Sequence, residues 1–294
     1  MRNAFIEELV ELAKTNSNIV LMVGDLGFSV VEPFQDAYPD RFFNAGVAEQ
    51  NMMSMAAGLA SEGCHAFVYS IANFPTFRCA EQIRNDVAYH QLPVTIVAVG
   101  GGLAYGNLGY SHHAVQDYAL MRSMPNMLIS APGDPMEVRA CLRYLTSHPQ
   151  PSYLRLGKAG ELCLHDSVPS IEPGIWQRIT NSSGPKNRAI LATGNGLQIA
   201  KNWQQGGQYL DHDLYSLPLW GITQKNLQTN QVEKFEKLVT VEDHLLDAGF
   251  GSWMLESLIN EPKLIERLAL KALDPSVCGL VASQNELHKA SNLE

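Results

Sequence analysis

Apolar positions in the first half of the chain switch repeatedly between strand-like runs and helical spacing. Residues 4–14 carry apolar side chains at helical intervals, and "NIVLMVGD" then has the pattern of a buried strand that ends in a Gly-Asp loop. "LPVTIVAVGGG" and "NMLISAPGD" repeat that design, and a helix is predicted to follow from Pro135. Strands that alternate with helices predict a parallel sheet covered on both faces, with ligands bound beyond the carboxyl ends of its strands.

Shorter elements complete this first unit. "RFFNAG" predicts a short extended piece that feeds a helix from about Ala45, and "CHAFVYSI" predicts another strand. "TFRCAEQIRNDVAYHQ" predicts a helix, and "PSYLRLGK" predicts the strand that closes the series.

A stretch rich in Pro, Ser, Gly and Asn, residues 165–187, separates this unit from a second one. We therefore expect an α/β domain over residues 1–170, a linker over 171–187 and a second α/β domain over 188–294. The second domain opens with a strand, a glycine turn and a helix in "RAILATGNGLQIAKNW". A lone G-x-G is a weak nucleotide signal, so this turn favours a tight strand-to-helix connection.

Composition narrows the possible classes of protein. The length of 294 residues favours two domains over a single core. The net charge of −9 argues against a nucleic-acid or anionic-membrane partner, and no apolar run approaches the length of a membrane span. Acidic residues in the first helix interrupt any signal peptide, and five cysteines without a C-x-x-C pair indicate reduced, mostly packing residues. A cytoplasmic protein is expected.

Glu49 is the single carboxylate in "NAGVAEQNMMSMAAGLA". One interpretation is that this acid only stabilises the positive end of the helix dipole. The small residues at 56–60, however, suggest a buried helix that could pack against another subunit, and no Lys or Arg lies between Arg41 and Arg78 to provide a local partner. Because a buried carboxylate needs a partner or a task, Glu49 is a candidate functional residue.

Two further segments contain candidate chemistry. Phe74 and Phe77 flank Pro-Thr just before a predicted helix, a pattern that is by itself typical of core residues. "GGGLAYGNLGYSHHAVQD" is a glycine-rich loop able to approach a ligand, and it carries the pair His112–His113. Neighbouring side chains rarely chelate one ion together, and no carboxylate or Cys is suitably spaced, so no metal site is predicted here.

Six segments in series are similar to one known family: "VGDLGFS", "FFNAGVAEQNMM", "NFPTFRCAEQIRNDVAYHQLPVTIVA", "YSHHAVQD", "RSMPNMLISAPGDPMEV" and "VEDHLLDAGFGS". The chain resembles the C-terminal half of a transketolase. This thiamine-diphosphate family includes 1-deoxyxylulose-5-phosphate synthase and the β subunits of 2-oxo acid dehydrogenases. The resemblance is strong over residues 1–165 and weak beyond them. It implies two doubly wound α/β domains, a pyrimidine-binding domain followed by a transketolase C-terminal-like domain.

The resemblance implies roles for four residues near the cofactor. Glu49, in "GVAE", matches the acid that hydrogen-bonds the aminopyrimidine ring of thiamine and so activates the cofactor. Phe74 and Phe77 match the ring-stacking aromatics, with Phe74 against the pyrimidine. Asp25 matches an acid close to the cofactor at the subunit boundary.

It also implies substrate-binding residues. His112 matches the histidine that contacts the donor substrate near its reacting carbons, and His113 stands in the place of a glutamine. Ser29 and Lys158 lie where the family keeps a Ser and an Arg for substrate phosphate. Lys158 would bind phosphate as a point charge without the bidentate fork of arginine.

Two departures from the family affect the substrate. Gly100 stands where transketolases place a His after the strand matching "TIVAVG", and Leu108 replaces the Asp that reads a donor hydroxyl. Unpaired substrate hydroxyls cost orders of magnitude in discrimination, so the resemblance does not fix the donor.

The absence of one family motif from this sequence indicates that a second subunit is needed. The sequence lacks the family's "GDG…N" arrangement that holds Mg²⁺ and the cofactor's phosphates. The resemblance therefore implies a separate diphosphate-binding subunit, in a heterodimer or heterotetramer, with the small residues at 56–60 in the interface. The predicted function is transfer of a two-carbon ketol unit from a phosphorylated or nucleotide-linked sugar to an aldehyde. A decarboxylating deoxyxylulose-phosphate synthase-like or oxo-acid dehydrogenase β-type enzyme is one alternative, and a non-catalytic regulatory subunit is another.

Overall fold

The computed structural model describes residues 1–182, 184 and 187–293, and two sheets carry the fold within them. The strands are β1 Ile19–Val23, β2 Phe42–Asn44, β3 His65–Ile71, β4 Val94–Val99, β5 Leu128–Ser130, β6 Ser152–Leu156, β7 Gln177–Thr180, β8 Arg188–Ala192, β9 Asp213–Ser216, β10 Leu219–Trp220, β11 Lys237–Leu245 and β12 Leu268–Leu273. The helices are α1 Arg2–Thr15, α2 Glu32–Ala37, α3 Glu49–Ser61, α4 Asn73–Thr76, α5 Ala80–Gln82, α6 Asp117–Arg122, α7 Pro135–Ser147, α8 Gly196–Gln205, α9 Gln228–Val232, α10 Phe250–Ser257, α11 Pro262–Ile265 and α12 Gln284–Ala290.

The first sheet has the order β10-β5-β6-β4-β3-β1-β2, and the second has the order β12-β11-β8-β9-β7. Strand β1 shows why the first sheet needs cover on both faces. Ile19 and Leu21 pack into a core with α1 and α7, whereas Val20 and Met22 pack into the core that contains α3. The predicted α/β class with doubly wound sheets is confirmed.

The expectation of a parallel first sheet is wrong at one edge, and the second sheet also has an antiparallel edge strand. Strand β10 follows β9 in the chain but pairs antiparallel with β5 of the first sheet, with Trp220 opposite Ile129. Strand β7 pairs antiparallel with β9. Antiparallel edge strands on an otherwise parallel sheet are common, because an edge has only one neighbour to satisfy.

The segment predicted as linker, 171–187, therefore contains strand β7 of the second sheet. Ser183, Pro185 and Lys186 of that segment lie outside the described residues. The first sheet in turn takes β10 from the second half of the chain. The division at 170 and 188 stays a prediction.

Two helix predictions need correction. Helix α3 begins at Glu49 rather than near Ala45. The single helix predicted over 76–91 is instead a series of short α, 3₁₀ and π segments that ends at Ala88. At Cys79 the dihedral angles are φ −108° and ψ 12°, and this departure from helical geometry breaks the hydrogen-bond ladder.

The alanines of α3 are not available to a second subunit. Ala56, Ala57 and Ala60 are buried in the chain's own core against the first sheet, so the expected interface role of these residues is wrong. Gly58 lies on the exposed side of the helix, and a Cβ there would meet nothing within 4 Å. Among the described residues no helix combines the length and apolarity needed to cross a bilayer.

Candidate functional site

The predicted site residues follow neighbouring strands of the first sheet, where each strand ends. Strands β6, β4, β3, β1 and β2 lie side by side in that order and are parallel. Lys158 follows β6, His112 lies in the loop after β4, Phe74 follows β3, Asp25 follows β1, and Glu49 follows β2. The topology therefore aligns all five along one carboxyl edge, which is where open α/β sheets bind ligands.

Glu49 is the first residue of α3 and is only 5% exposed. Its partner is Arg78, whose Nη1 donates to both carboxylate oxygens at 3.1 Å. The partner is not local in sequence: it lies 29 residues further along the chain, just before the break at Cys79. The ion pair satisfies a carboxylate that burial would otherwise penalise.

Phe74 lies beside this ion pair. The guanidinium carbon of Arg78 is 4.2 Å from the centre of the Phe74 ring, a cation–π contact. The His112 ring approaches Phe74 edge-on, with 5.4 Å between ring centres. Glu49, Arg78, Phe74 and His112 therefore form one contiguous cluster. Phe77 points away from the core and is 46% exposed.

His112 occupies a 3₁₀ turn, and its Nδ1 lies 3.0 Å from the Ser111 hydroxyl. Partial burial, together with the neighbouring His113, lowers the pKa of His112 below its ordinary value of 6.5. The imidazole is therefore neutral at pH 7, and a neutral imidazole can accept a proton.

His113, predicted to contact the substrate, is buried. It is 1% exposed, and its Nε2 lies 3.1 Å from the carbonyl oxygen of Gly106. The Asn73 amide donates to the carbonyls of Ser111 and His113 at 3.1 and 3.0 Å. These bonds hold the glycine-rich loop in position beneath His112.

The absence of a side chain at Gly100 is explained by Tyr105, a residue that the sequence pattern did not single out. Its φ is +81°, and a Cβ there would lie 2.1 Å from the Tyr105 ring. Tyr105 thus fills the space into which a side chain at position 100 would project. The Tyr105 ring centre is 6.4 Å from that of His112 and 5.4 Å from Nζ of Lys158. Tyr105 therefore lies between two of the predicted substrate residues.

Asp25 and Ser29 lie in the loop after β1, and both have positive φ, at 53° and 65°. Asn44 ties Asp25 in place, because its amide nitrogen donates to the carboxylate at 3.0 Å while its amide oxygen accepts from the Asp25 backbone at 3.1 Å. The Ser29 backbone donates to Glu32 at 2.7 Å. Non-glycine residues in this conformation often mark functional loops. Among the described residues, no hydrogen bond or ion pair joins either one to the Glu49 cluster.

The sequence pattern did not single out a buried ion pair between Arg155 and Asp117, which lies behind the glycine-rich loop. Arg155 on β6 donates to Asp117 at 2.7 Å, and both side chains are almost wholly buried. Arg155 also donates to the carbonyls of Ala114 at 2.7 Å and Asp243 at 3.0 Å, so it links the loop to the second sheet. An Arg within the apolar strand "SYLRL" was the available sequence signal.

His244 lies beside this pair, with its ring stacked on Tyr118 at 5.0 Å between centres. Burial lowers its pKa to about 4, so it is neutral and packs between the two halves of the chain.

The structure does not favour a metal site or a cysteine nucleophile near this cluster. No cluster of three His, Cys, Asp or Glu side chains suited to a metal occurs in the part of the chain that the structure describes. Burial and the charge of Glu49 raise the pKa of the Cys79 thiol to about 12, so this neighbour of the cluster is not a thiolate nucleophile.

Comparisons with known proteins show which family the chain is similar to. Residues 1–160 match the family model described as "Transketolase, pyrimidine binding domain". A solved structure described as "Split gene transketolase, inactive beta4 tetramer" superposes with a TM-score of 0.83 at 31% identity, covering 99% of this chain and 93% of that one.

Curated relatives point the same way. A putative transketolase C-terminal section from Methanocaldococcus jannaschii is 35% identical, covering 87% of this chain and 81% of that protein. One subunit of an apulose-4-phosphate transketolase from Phocaeicola vulgatus is 31% identical, covering 89% and 84%. 1-Deoxy-D-xylulose-5-phosphate synthase from Desulfotalea psychrophila is 33% identical over 86% of this chain, which spans 40% of that enzyme.

Proposed function

The chain belongs to the transketolase family, and from that premise we propose that it is the pyrimidine-binding subunit of a split, thiamine-diphosphate-dependent enzyme. The proposed reaction moves a two-carbon ketol unit from a phosphorylated or nucleotide-linked sugar to an aldehyde. One observation supports the proposal most directly. The planar Arg78 guanidinium hydrogen-bonds a buried carboxylate, Glu49, and also lies over an aromatic ring, Phe74.

The residues present fit a thiamine pyrimidine ring. A flat heteroaromatic ring needs a hydrogen-bonding acid at its edge and an aromatic face beneath it, and Glu49 and Phe74 offer this pair. When bound, thiamine diphosphate would supply the carbon nucleophile that the sugar carbonyl needs. Glu49 would hydrogen-bond a ring nitrogen, and its burial would make that single hydrogen bond stronger than it would be in water.

Other side chains near the carboxyl edge of the first sheet are proposed to act on the substrate. His112 is neutral and borders Phe74, so it can accept a proton from a substrate hydroxyl at its imidazole. Lys158 and Ser29 bind an anionic group, and His113 supports the loop from behind. In this proposal Phe77 lies beside the pyrimidine ring of the cofactor, and Asp25 lies close to the cofactor at the subunit boundary. Tyr105 provides an aromatic surface where the family keeps a histidine side chain.

A partner subunit completes this site in our proposal. One relative is named a C-terminal section and another is named as one subunit of a transketolase, and this chain covers 81% and 84% of their lengths, which supports a split arrangement. The partner would hold Mg²⁺ and the diphosphate, in a heterodimer or heterotetramer. Exposed apolar side chains near Glu49, including Val47 and Phe77, suit such a contact. The free cysteines favour the cytoplasm.

A decarboxylating reaction is the second candidate. It is favoured by the similarity to deoxyxylulose-phosphate synthase and by the absence of a side chain at Gly100 and of a carboxylate at Leu108. A smaller 2-oxo acid donor would need fewer hydroxyl contacts. Without turnover of either donor class, the regulatory-subunit alternative would hold.

The test begins with co-purification from the source cell, with mass spectrometry of any companion chain that bears "GDG…N". The reconstituted complex is then supplied with thiamine diphosphate and Mg²⁺. We expect two-carbon transfer from xylulose 5-phosphate or hydroxypyruvate to an aldehyde. Release of CO₂ from pyruvate without ketol transfer would instead establish the decarboxylating alternative.

A further inference from the structure

We propose that Arg78 is a positioning residue that occupies the pyrimidine site in the chain without cofactor and leaves when the ring enters. This inference rests on the proposed function, because it concerns the same pocket. It adds a role for a residue that neither the motif matches nor the comparisons assign.

The geometry of the guanidinium imitates that of the expected ring. The Arg78 guanidinium is planar, its Nη1 donates to both oxygens of Glu49 at 3.1 Å, and its central carbon lies over the Phe74 ring, 4.2 Å from the ring centre. An aminopyrimidine would need the same two contacts, one at its edge and one at its face. Both groups cannot make them at once, since each would cover the same carboxylate and the same ring face.

The surroundings of Arg78 allow it to leave. Its side chain is 50% exposed, whereas that of Glu49 is 5% exposed. The arginine can therefore turn into solvent, but the carboxylate cannot leave its pocket. A buried carboxylate is costly without a partner, so Arg78 keeps Glu49 satisfied until a ring nitrogen replaces it.

This arrangement has a thermodynamic signature. A protein whose binding-competent state is only partly populated binds its ligand more weakly by that fraction. Removing Arg78 should therefore destabilise the chain without cofactor and tighten cofactor binding by the same factor. A residue that contacts the cofactor directly would have the opposite effect on affinity, and a merely structural residue would not tighten it.

The experiment compares R78M with R84M in the complex reconstituted with its partner and Mg²⁺. Arg84 is a matched control on the same segment, because it is exposed and, among the contacts described, its side chain hydrogen-bonds only its neighbour Asn85, at 2.9 Å. Titration with thiamine diphosphate gives the dissociation constant. We expect R78M to bind about tenfold more tightly than the wild type, the scale of a charge-assisted hydrogen bond, and R84M to bind unchanged.

A second measurement uses the chain alone. R78M should lower its thermal midpoint, and adding E49Q to R78M should restore most of the loss, because a neutral amide needs no counter-charge. Thiamine itself, observed by ligand NMR, should give a stronger binding signal with the R78M chain than with the wild type.

The outcomes separate the two proposals. Unchanged or weaker thiamine diphosphate binding by R78M would overturn the role of Arg78 and leave the proposed function standing. If no variant and no wild-type complex bound thiamine or thiamine diphosphate, both proposals would fail together.

Discussion

Substituting Gly100 by Ala tests how tightly the loop after β4 is packed. The added Cβ would lie 2.1 and 2.3 Å from two atoms of the Tyr105 ring, so the ring would have to move. Overpacking of this kind costs about 1–3 kcal/mol. The φ of +81° adds about 1–2 kcal/mol, because Ala is strained in the left-handed region. We expect G100A to lose about 2–5 kcal/mol of unfolding free energy in total.

Urea denaturation followed by circular dichroism measures this loss, and two variants divide it. Gly63 also has a positive φ, +94°, but a Cβ there would meet nothing within 4 Å, so G63A should show only the backbone contribution. Y105A should recover the packing contribution when combined with G100A. If G100A lost no more stability than G63A, or if Y105A recovered nothing, Tyr105 would not fill the space above Gly100.

Three further outcomes follow from buried or partly buried charges. D117N should lower the unfolding free energy by about 3–5 kcal/mol in a urea titration, because it leaves the charge of Arg155 buried without its partner. Burial raises the pKa of Glu137 from 4.5 to about 7, so its contribution to stability is complete below pH 4.5 and is lost as the pH rises through 7. E137Q should lack that decline, and parallel curves for both proteins at pH 5 and pH 8 would contradict the assignment. The rate of the assembled enzyme should fall on the acid side only below pH 6.5, because burial and His113 lower the pKa of His112, and H112Q should remove that limb.

The order of the site along the sheet was predictable from the sequence. Apolar runs ending in glycine or Gly-Asp mark strand ends, and parallel strands bring those ends to one edge. Glu49, Phe74 and His112 were singled out by motif, and the structure joins them in one cluster through Arg78.

Contacts that depend on long-range packing were not predictable. The pairing of Arg78 with Glu49 spans 29 residues and lies beside a helix break at Cys79 that local periodicity does not reveal. Small residues at 56–60 fit either a foreign helix or the chain's own sheet, and spacing alone cannot distinguish these partners. Strand β10 is two residues long, too short to carry an alternating pattern, so its position in the first sheet was missed.

The proposed contact between Glu49 and the cofactor ring is tested most directly by the turnover of E49Q in the reconstituted complex. Glutamine keeps the size of the side chain but cannot hold the shared proton, so we expect a loss of about a hundredfold or more in kcat. Thermal denaturation of the complex serves as the control for folding. Turnover equal to that of the wild type would contradict the assignment of Glu49 and leave the chain with a non-catalytic role.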